Sequence, residues 1–247
     1  MIHYHGVTLG PNDVAAQCLR GGHGFVSYAQ AGQLGIVAEM CQSFAIDNGA
    51  FSAWNSGAPV TDWDPYYAWA QSVRRLPNCD FGVIPDVIDG SEEDNDALIS
   101  RYSWDPAFFA PVWHMHERLE RLGALAGKFH RVCIGSSGAF SRPGTDIWWR
   151  RMQDVMRYIC DQDGYPKVRL HGLRMLSPSI FQRLPLSSAD STNVGRTVNM
   201  EKGSRGIYAP LSKAVRAMVL RSNIEHFNAP PRWGESTVRT HRVRLIP

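Results

Sequence analysis

Short β-like runs alternate with amphipathic helical stretches along most of the chain, and that rhythm leaves few folds open. Strand-like runs read at residues 2–8, 24–28, 44–47, 81–85, 108–113, 131–135, 168–172 and 186–190. Helical spacing of apolar residues reads at 64–76, after the turn residues Thr61 and Asp62, and at 92–102, 116–128, 145–160, 177–183 and 210–227. Strand followed by helix at this pitch implies parallel pairing, and eight strands in about 190 residues fit a closed barrel better than an open sheet. The expectation is an α/β fold: a single (β/α)8 TIM-type barrel over 1–247, irregular in its N-terminal units, with 193–247 a basic final helix and C-terminal tail. The spacer between Thr8 and Gly24 reads as a poor helix.

A hydrophobic content of 44% in 247 residues is ample for such a core. No run approaches the roughly 18 apolar residues of a membrane span, and MIHYHGVTLG lacks the basic and apolar regions of a signal peptide. A cytoplasmic protein is expected. Cys18, Cys41, Cys79, Cys133 and Cys160 are scattered without a C-x-x-C or C-x-C pair, so they read as reduced packing residues. The net charge of +3 permits a polyanionic partner without demanding one. Its distribution says more, because Arg196, Lys202, Arg205, Lys213, Arg216 and Arg221 cluster late, followed by Arg232, Arg239, Arg242 and Arg244. They read either as a phosphate-tracking surface or as a solvated helix face.

In a parallel barrel the chemistry sits where strands end, so the polar residues closing each apolar run are the ones to collect. They are Asp47-Asn48-Gly49-Ala50-Phe51, Pro85-Asp86, Trp113-His114, Gly135-Ser136-Ser137-Gly138, His171-Gly172 and Asp190-Ser191-Thr192. Each Asp alone is equally an N-cap or turn former. Together they bring three carboxylates to one mouth, and glycosidic chemistry needs two with split roles: one for the anomeric carbon, one for a proton on the leaving base. The glycines would let a planar ligand approach the backbone, and Phe51 would stack on it. Asp89, Glu92, Glu93, Asp94 and Asp96 read instead as a solvated first helical turn.

The series DNGAF, PD, IGSSG, HG and SADST, in this order and at these strand ends, resembles the tRNA-guanine transglycosylases over roughly residues 44–192. The resemblance implies that Asp190 is the nucleophile at C1′ and Asp47 the general acid/base. It implies a base subsite in which Asp86 hydrogen-bonds the guanine edge and Gly135 offers its backbone to the exocyclic carbonyl. Phe51 would stack on one face and His171 would cover the other, with Asn48, Ser136, Trp113 and His114 nearby. Arg196, Lys202 and Arg205 would follow the nucleic-acid backbone, and neither cofactor nor metal is implied.

The departures narrow that reading. The clustered cysteines of the C-terminal zinc insertion are absent, Trp113 and His114 stand where the family has a base-reading Gln, and Asn48 replaces a Ser. A compact, zinc-free chain resembles the branch that inserts 7-deazaguanines such as preQ0 into DNA, encoded by bacteriophages or DNA-modification clusters. That implies DNA rather than tRNA as polymer, a 7-deazaguanine base as co-substrate, and the host cytoplasm as compartment if the gene is a phage's. The target nucleotide must leave the stack at a cost of roughly a few kcal/mol, for which Trp54, Trp63, Trp113 and Trp148 are possible platforms.

Besides the same exchange on tRNA, three other readings stay open. His3 and His5, His114 and His116, His171 and Asp190 would suit a metal-dependent barrel hydrolase. The same Asp pair would serve a hydrolysing glycosidase. A barrel with a nucleic-acid groove but no turnover is the third.

Overall fold

The structure, a computed structural model, describes residues 1–7, 10–198 and 212–234. Its centre is an all-parallel sheet of β1 (Ile2–Gly6), β2 (His23–Ser27), β3 (Ser43–Asp47), β4 (Cys79–Val83), β5 (Phe109–Ala110), β6 (Val112–His114), β7 (Arg131–Gly135), β8 (Arg169–Gly172) and β9 (Ser188–Ser191). The strand order is β5-β4-β3-β2-β1-β9-β8-β7-β6. The two end strands are halves of one extended segment divided by Pro111, which has no N–H to give. One half pairs with β4 and the other with β7, and the Pro111 carbonyl still accepts from Cys133 N–H at 2.9 Å. The sheet thus wraps round as a TIM-type barrel, and its strands fall on the eight expected runs.

Alternation sorts the side chains. Tyr4, Phe25, Ala45, Phe81, Val83 and Cys133 fill the barrel interior, while Val26, Phe44, Ile46, Val132, Ile134 and Leu170 face the surrounding helices. Those helices include α1 (Asn12–Leu19), α2 (Leu34–Met40), α3 (Ala50–Asn55), α4 (Asp64–Val73), α5 (Glu92–Arg101), α6 (Leu119–Lys128) and α7 (Asp146–Ile159). They continue with α8 (Pro178–Phe181), α9 (Asn193–Thr197) and α10 (Lys213–Glu225). Among the described residues no helix is long and apolar enough to cross a membrane. All five cysteines are free thiols, four of them buried.

Two expectations need correcting. The spacer before β2 does hold a helix, α1, which buries Val14, Ala15, Cys18 and Leu19 on one face although it is only eight residues long. The helix expected from residue 116 starts at Leu119, because Glu117 turns back so that Oε2 accepts the His114 N–H at 2.9 Å. The acidic run behaves as expected in its first turn, where Ser91 and Asp94 form a capping box.

The end of the barrel away from the strand C-termini is closed by charge. Arg131 lies 3.9 Å over the Phe81 ring and pairs with Asp80 at 3.0 Å, and the Tyr4 hydroxyl donates to Asp80 at 2.5 Å. Burial opposes the Asp80 charge, but Arg131 and the Tyr4 hydroxyl hold its pKa below the ordinary value. A depressed carboxylate contributes stability above its unfolded pKa and loses it as pH falls through the folded one. Asp80→Asn is expected to lower stability at pH 7 by roughly 2 kcal/mol, below the range for fully buried pairs. In urea melts the gap from wild type should close below about pH 4.

Candidate active site

At the strand C-termini a cavity of about 470 Å³ opens above a floor of Phe25, Val112, Gly135 and Leu173. Asp47 and Asn48 reach it from the end of β3, Asp86 from beyond β4, His114 from β6, Asp190 from β9, and Phe51 from the first turn of α3. The three expected carboxylates therefore do share one cavity.

The turn after β3 shapes one wall. Gly49 has φ 83°, a left-handed conformation, and a Cβ there would sit 3.3 Å from the Ala29 nitrogen, so glycine is required. The turn brings the Gly49 N–H to Asp47 Oδ2 at 3.0 Å and starts α3 so that Phe51 projects over the opening. Asp47 is pushed up to about 7, chiefly by burial and then by the charge of Asp190, with the Gly49 N–H opposing. It is the group whose proton is available near neutrality.

Asp190 is held differently. Its Oδ1 accepts the backbone N–H of Arg174 at 2.8 Å, while His171 Nε2 lies 3.4 Å away without forming a hydrogen bond. His171 is fully buried beneath the carboxylate, against Ser188 Oγ at 2.8 Å and stacked on Phe25 at 5.3 Å. Burial lowers its pKa, so it stays neutral. It does not line the cavity and cannot cover a base: the strand turns its ring into the barrel interior, one layer below the mouth.

Trp113 is the second correction. Val112 and His114 face inward, so period-two alternation sends Trp113 out into the helix layer, where it is fully buried and its Nε1 donates to the Arg118 carbonyl at 3.0 Å. His114 is where the sequence placed it. Its Nε2 meets Asp86 Oδ2 at 2.9 Å, its Nδ1 lies 3.4 Å from Glu117 Oε1, and Glu117 Oε2 accepts from Arg121 at 2.6 Å. On the other side Asn48 donates to Asp86 Oδ1 at 2.8 Å and to the Ile84 carbonyl at 2.8 Å. The result is a buried chain of alternating charge that fixes Asp86. Burial works against the His114 charge, but the hydrogen bonds to Asp86 and Glu117 raise its pKa to about 9.

Gly135 leaves room at the floor, since a Cβ would approach Val112 and His114 to 3.1 and 3.2 Å. Ser136 is anchored by Trp148, whose Nε1 donates to its hydroxyl at 3.0 Å. Arg196 lies exposed at the cavity edge, whereas Lys202 and Arg205 lie outside the described residues. Arg221 turns inward instead, to Glu225 and the Cys18 carbonyl. Of the four tryptophans, Trp54 is exposed near Phe51, and Trp63, Trp113 and Trp148 are core. Sequence reasoning missed Arg174, whose guanidinium lies 4.0 Å over the Phe51 ring, and the partners Glu117 and Arg121. Glu117, three residues beyond His114, offered a spacing signal; Arg174 offered none.

The histidines of the hydrolase reading are not gathered. His3 and His5 alternate with the inward Tyr4 and so face the helix layer, at the Phe227 carbonyl and Glu225. Among the described residues no three His, Cys, Asp or Glu side chains come together as a metal-holding group. Fold and cavity define a TIM-type barrel with a carboxylate-bearing mouth. No family model, curated protein or solved structure matches the chain.

The charged chain carries its own pH signature. A His raised above its unfolded pKa contributes stability that is complete below about 6.5 and lost as pH rises through about 9. Wild-type stability should therefore decline over that window with a slope of up to about 1.4 kcal/mol per pH unit. His114→Gln should start lower at pH 7 and show a flatter profile, read from urea midpoints.

Proposed function

We propose that this protein is a base-exchange transglycosylase that replaces guanine in DNA with a 7-deazaguanine of the preQ0 type. The observation that carries the reading is the asymmetric pair of carboxylates in one cavity: Asp47 pushed up to about 7 beside an Asp190 oriented by a backbone N–H. A buried carboxyl that keeps its proton near neutrality, beside a carboxylate held in a fixed direction, suits acid and nucleophile in glycosidic chemistry. The sequence resemblance, independent of these distances, assigns the same two roles.

In the proposed reaction an Asp190 oxygen bonds to C1′ as the bond from C1′ to guanine N9 breaks, and protonated Asp47 delivers its proton to the departing base. The incoming base then loses its N9 proton to the Asp47 carboxylate and attacks C1′, releasing Asp190. Asp86, held as an acceptor by Asn48 and His114, suits the N–H donors of a guanine edge, which a 7-deazaguanine shares. Phe51 provides an aromatic face. A DNA substrate accords with Arg196 and Arg174 at the cavity edge, and with the absence of the cysteine cluster that marks the tRNA enzymes resembled.

The test supplies DNA or tRNA carrying radiolabelled guanine, together with unlabelled preQ0. Release of label from DNA, with uptake of preQ0, is expected for wild type and abolished in Asp190→Ala. Release from neither polymer would overturn the proposal, and release without uptake would mark hydrolysis instead. Asp47→Asn should slow guanine release by about 100-fold or more. In wild type the single-turnover release rate should fall tenfold per pH unit above about 7, where Asp47 loses its proton.

A further inference from the structure

Arg174 combines a costly backbone with a weakly tethered cation. Its φ of 58° makes it the only left-handed non-glycine residue among the described ones. This conformation aims its N–H at Asp190 Oδ1. A glycine would supply the same N–H without steric cost, so the contact with Asp190 does not by itself call for an arginine. The side chain crosses the cavity and lays its guanidinium 4.0 Å over the Phe51 ring. Its other contact, from Nη2 to the Ser136 carbonyl, is long at 3.4 Å, and among the described residues it forms no ion pair. The residue is exposed, and Arg196, also exposed, lines the same mouth.

A planar cation and a planar base need the same face of Phe51. We propose that Arg174 competes with the base for that face and, once displaced, takes a backbone phosphate beside the bound nucleotide. The inference rests on the transglycosylase reading for the identity of the base. A nucleobase stacks on an aromatic ring more strongly than an exposed guanidinium does, so the base wins the ring when both are present. The released guanidinium is a bidentate phosphate ligand, and Arg196 adds a second positive charge at the same rim. Arg174 thus raises the threshold for a free base and lowers it for a base that arrives with its phosphates. It selects polymer over free base.

Two variants test this. Arg174→Gly relaxes the backbone and keeps the N–H to Asp190, so it should fold with a melting temperature no lower than wild type; Arg174→Lys keeps the charge and loses the planar stack. Equilibrium dialysis of radiolabelled guanine should show several-fold tighter binding to Arg174→Gly. A guanine-containing single-stranded oligonucleotide should bind that variant about tenfold more weakly, with the slope of log K against log salt shallower by about 0.7. Arg174→Lys should retain the wild-type slope. Weaker binding of free guanine to Arg174→Gly would overturn the inference by making Arg174 a base ligand, as would unchanged oligonucleotide affinity and salt slope. If these opposite shifts occur in a protein that exchanges no base, the inference stands and the transglycosylase reading falls. If wild type binds neither probe, both fall.

Discussion

The pairing across the Pro111 segment is what turns the open strand order into a barrel, and the candidate site is built on that seam. Pro111 removes one donor from the ladder, and the strand on either side is too short to hold alone. The hydrogen bond between Asp86, which follows β4, and His114, which ends β6, spans the same gap at 2.9 Å. Asn48 extends the connection to β3, and Glu117 and Arg121 extend it to α6. A chain of buried charges is stable only when every member is satisfied, and each link here has its partner. The weakest point of the backbone ladder is therefore bridged by side chains that also form one wall of the cavity.

The two ends of the barrel handle charge in opposite ways. At the closed end Asp80, Arg131 and Tyr4 pair with one another beneath the aromatic layer. At the open end Asp47, Asp86 and Asp190 converge, and only Asp86 has a cationic partner within the buried chain. Burial first and the neighbouring negative charge second push the Asp47 pKa upward, and that charge makes the mouth favourable to Arg174 and Arg196. Charges are paired at one end and converge on a cavity at the other, a division that a parallel barrel allows because all strands point the same way.

Much of this was legible before any coordinates. The eight runs show period-two patterning bounded by turn residues, and the residues that close them fall where strand direction requires, so Asp47, Asn48, Phe51, Asp86, His114 and Asp190 meet in one cavity. The errors at Trp113 and His171 have a common cause: two residues adjacent in a strand cannot both face the mouth, and a residue facing the interior can still lie a layer too deep. Alternation would have excluded Trp113 once His114 was chosen. Arg174 was hidden for another reason, since a left-handed arginine arises from tertiary context and leaves no local pattern. The short helix α1 escaped because its buried face depends on α10, packed against it from the far end of the chain.

The contrast between Asp47 and Asp190 shows how identical side chains acquire different surroundings. Asp47 ends β3, Asp190 lies one residue from the end of β9, and both line the cavity, so position alone does not separate them. Asp47 shares the inward face of its strand with Ala45 and precedes a turn whose tightness Gly49 permits, and the enclosure this creates is the largest influence on its proton. Asp190 instead receives the Arg174 amide on one oxygen, which fixes the direction of its carboxylate over the layer formed by His171 and Phe25. The left-handed residues Gly49 and Arg174 each direct an amide to one aspartate, and the orientation of both carboxylates follows from them.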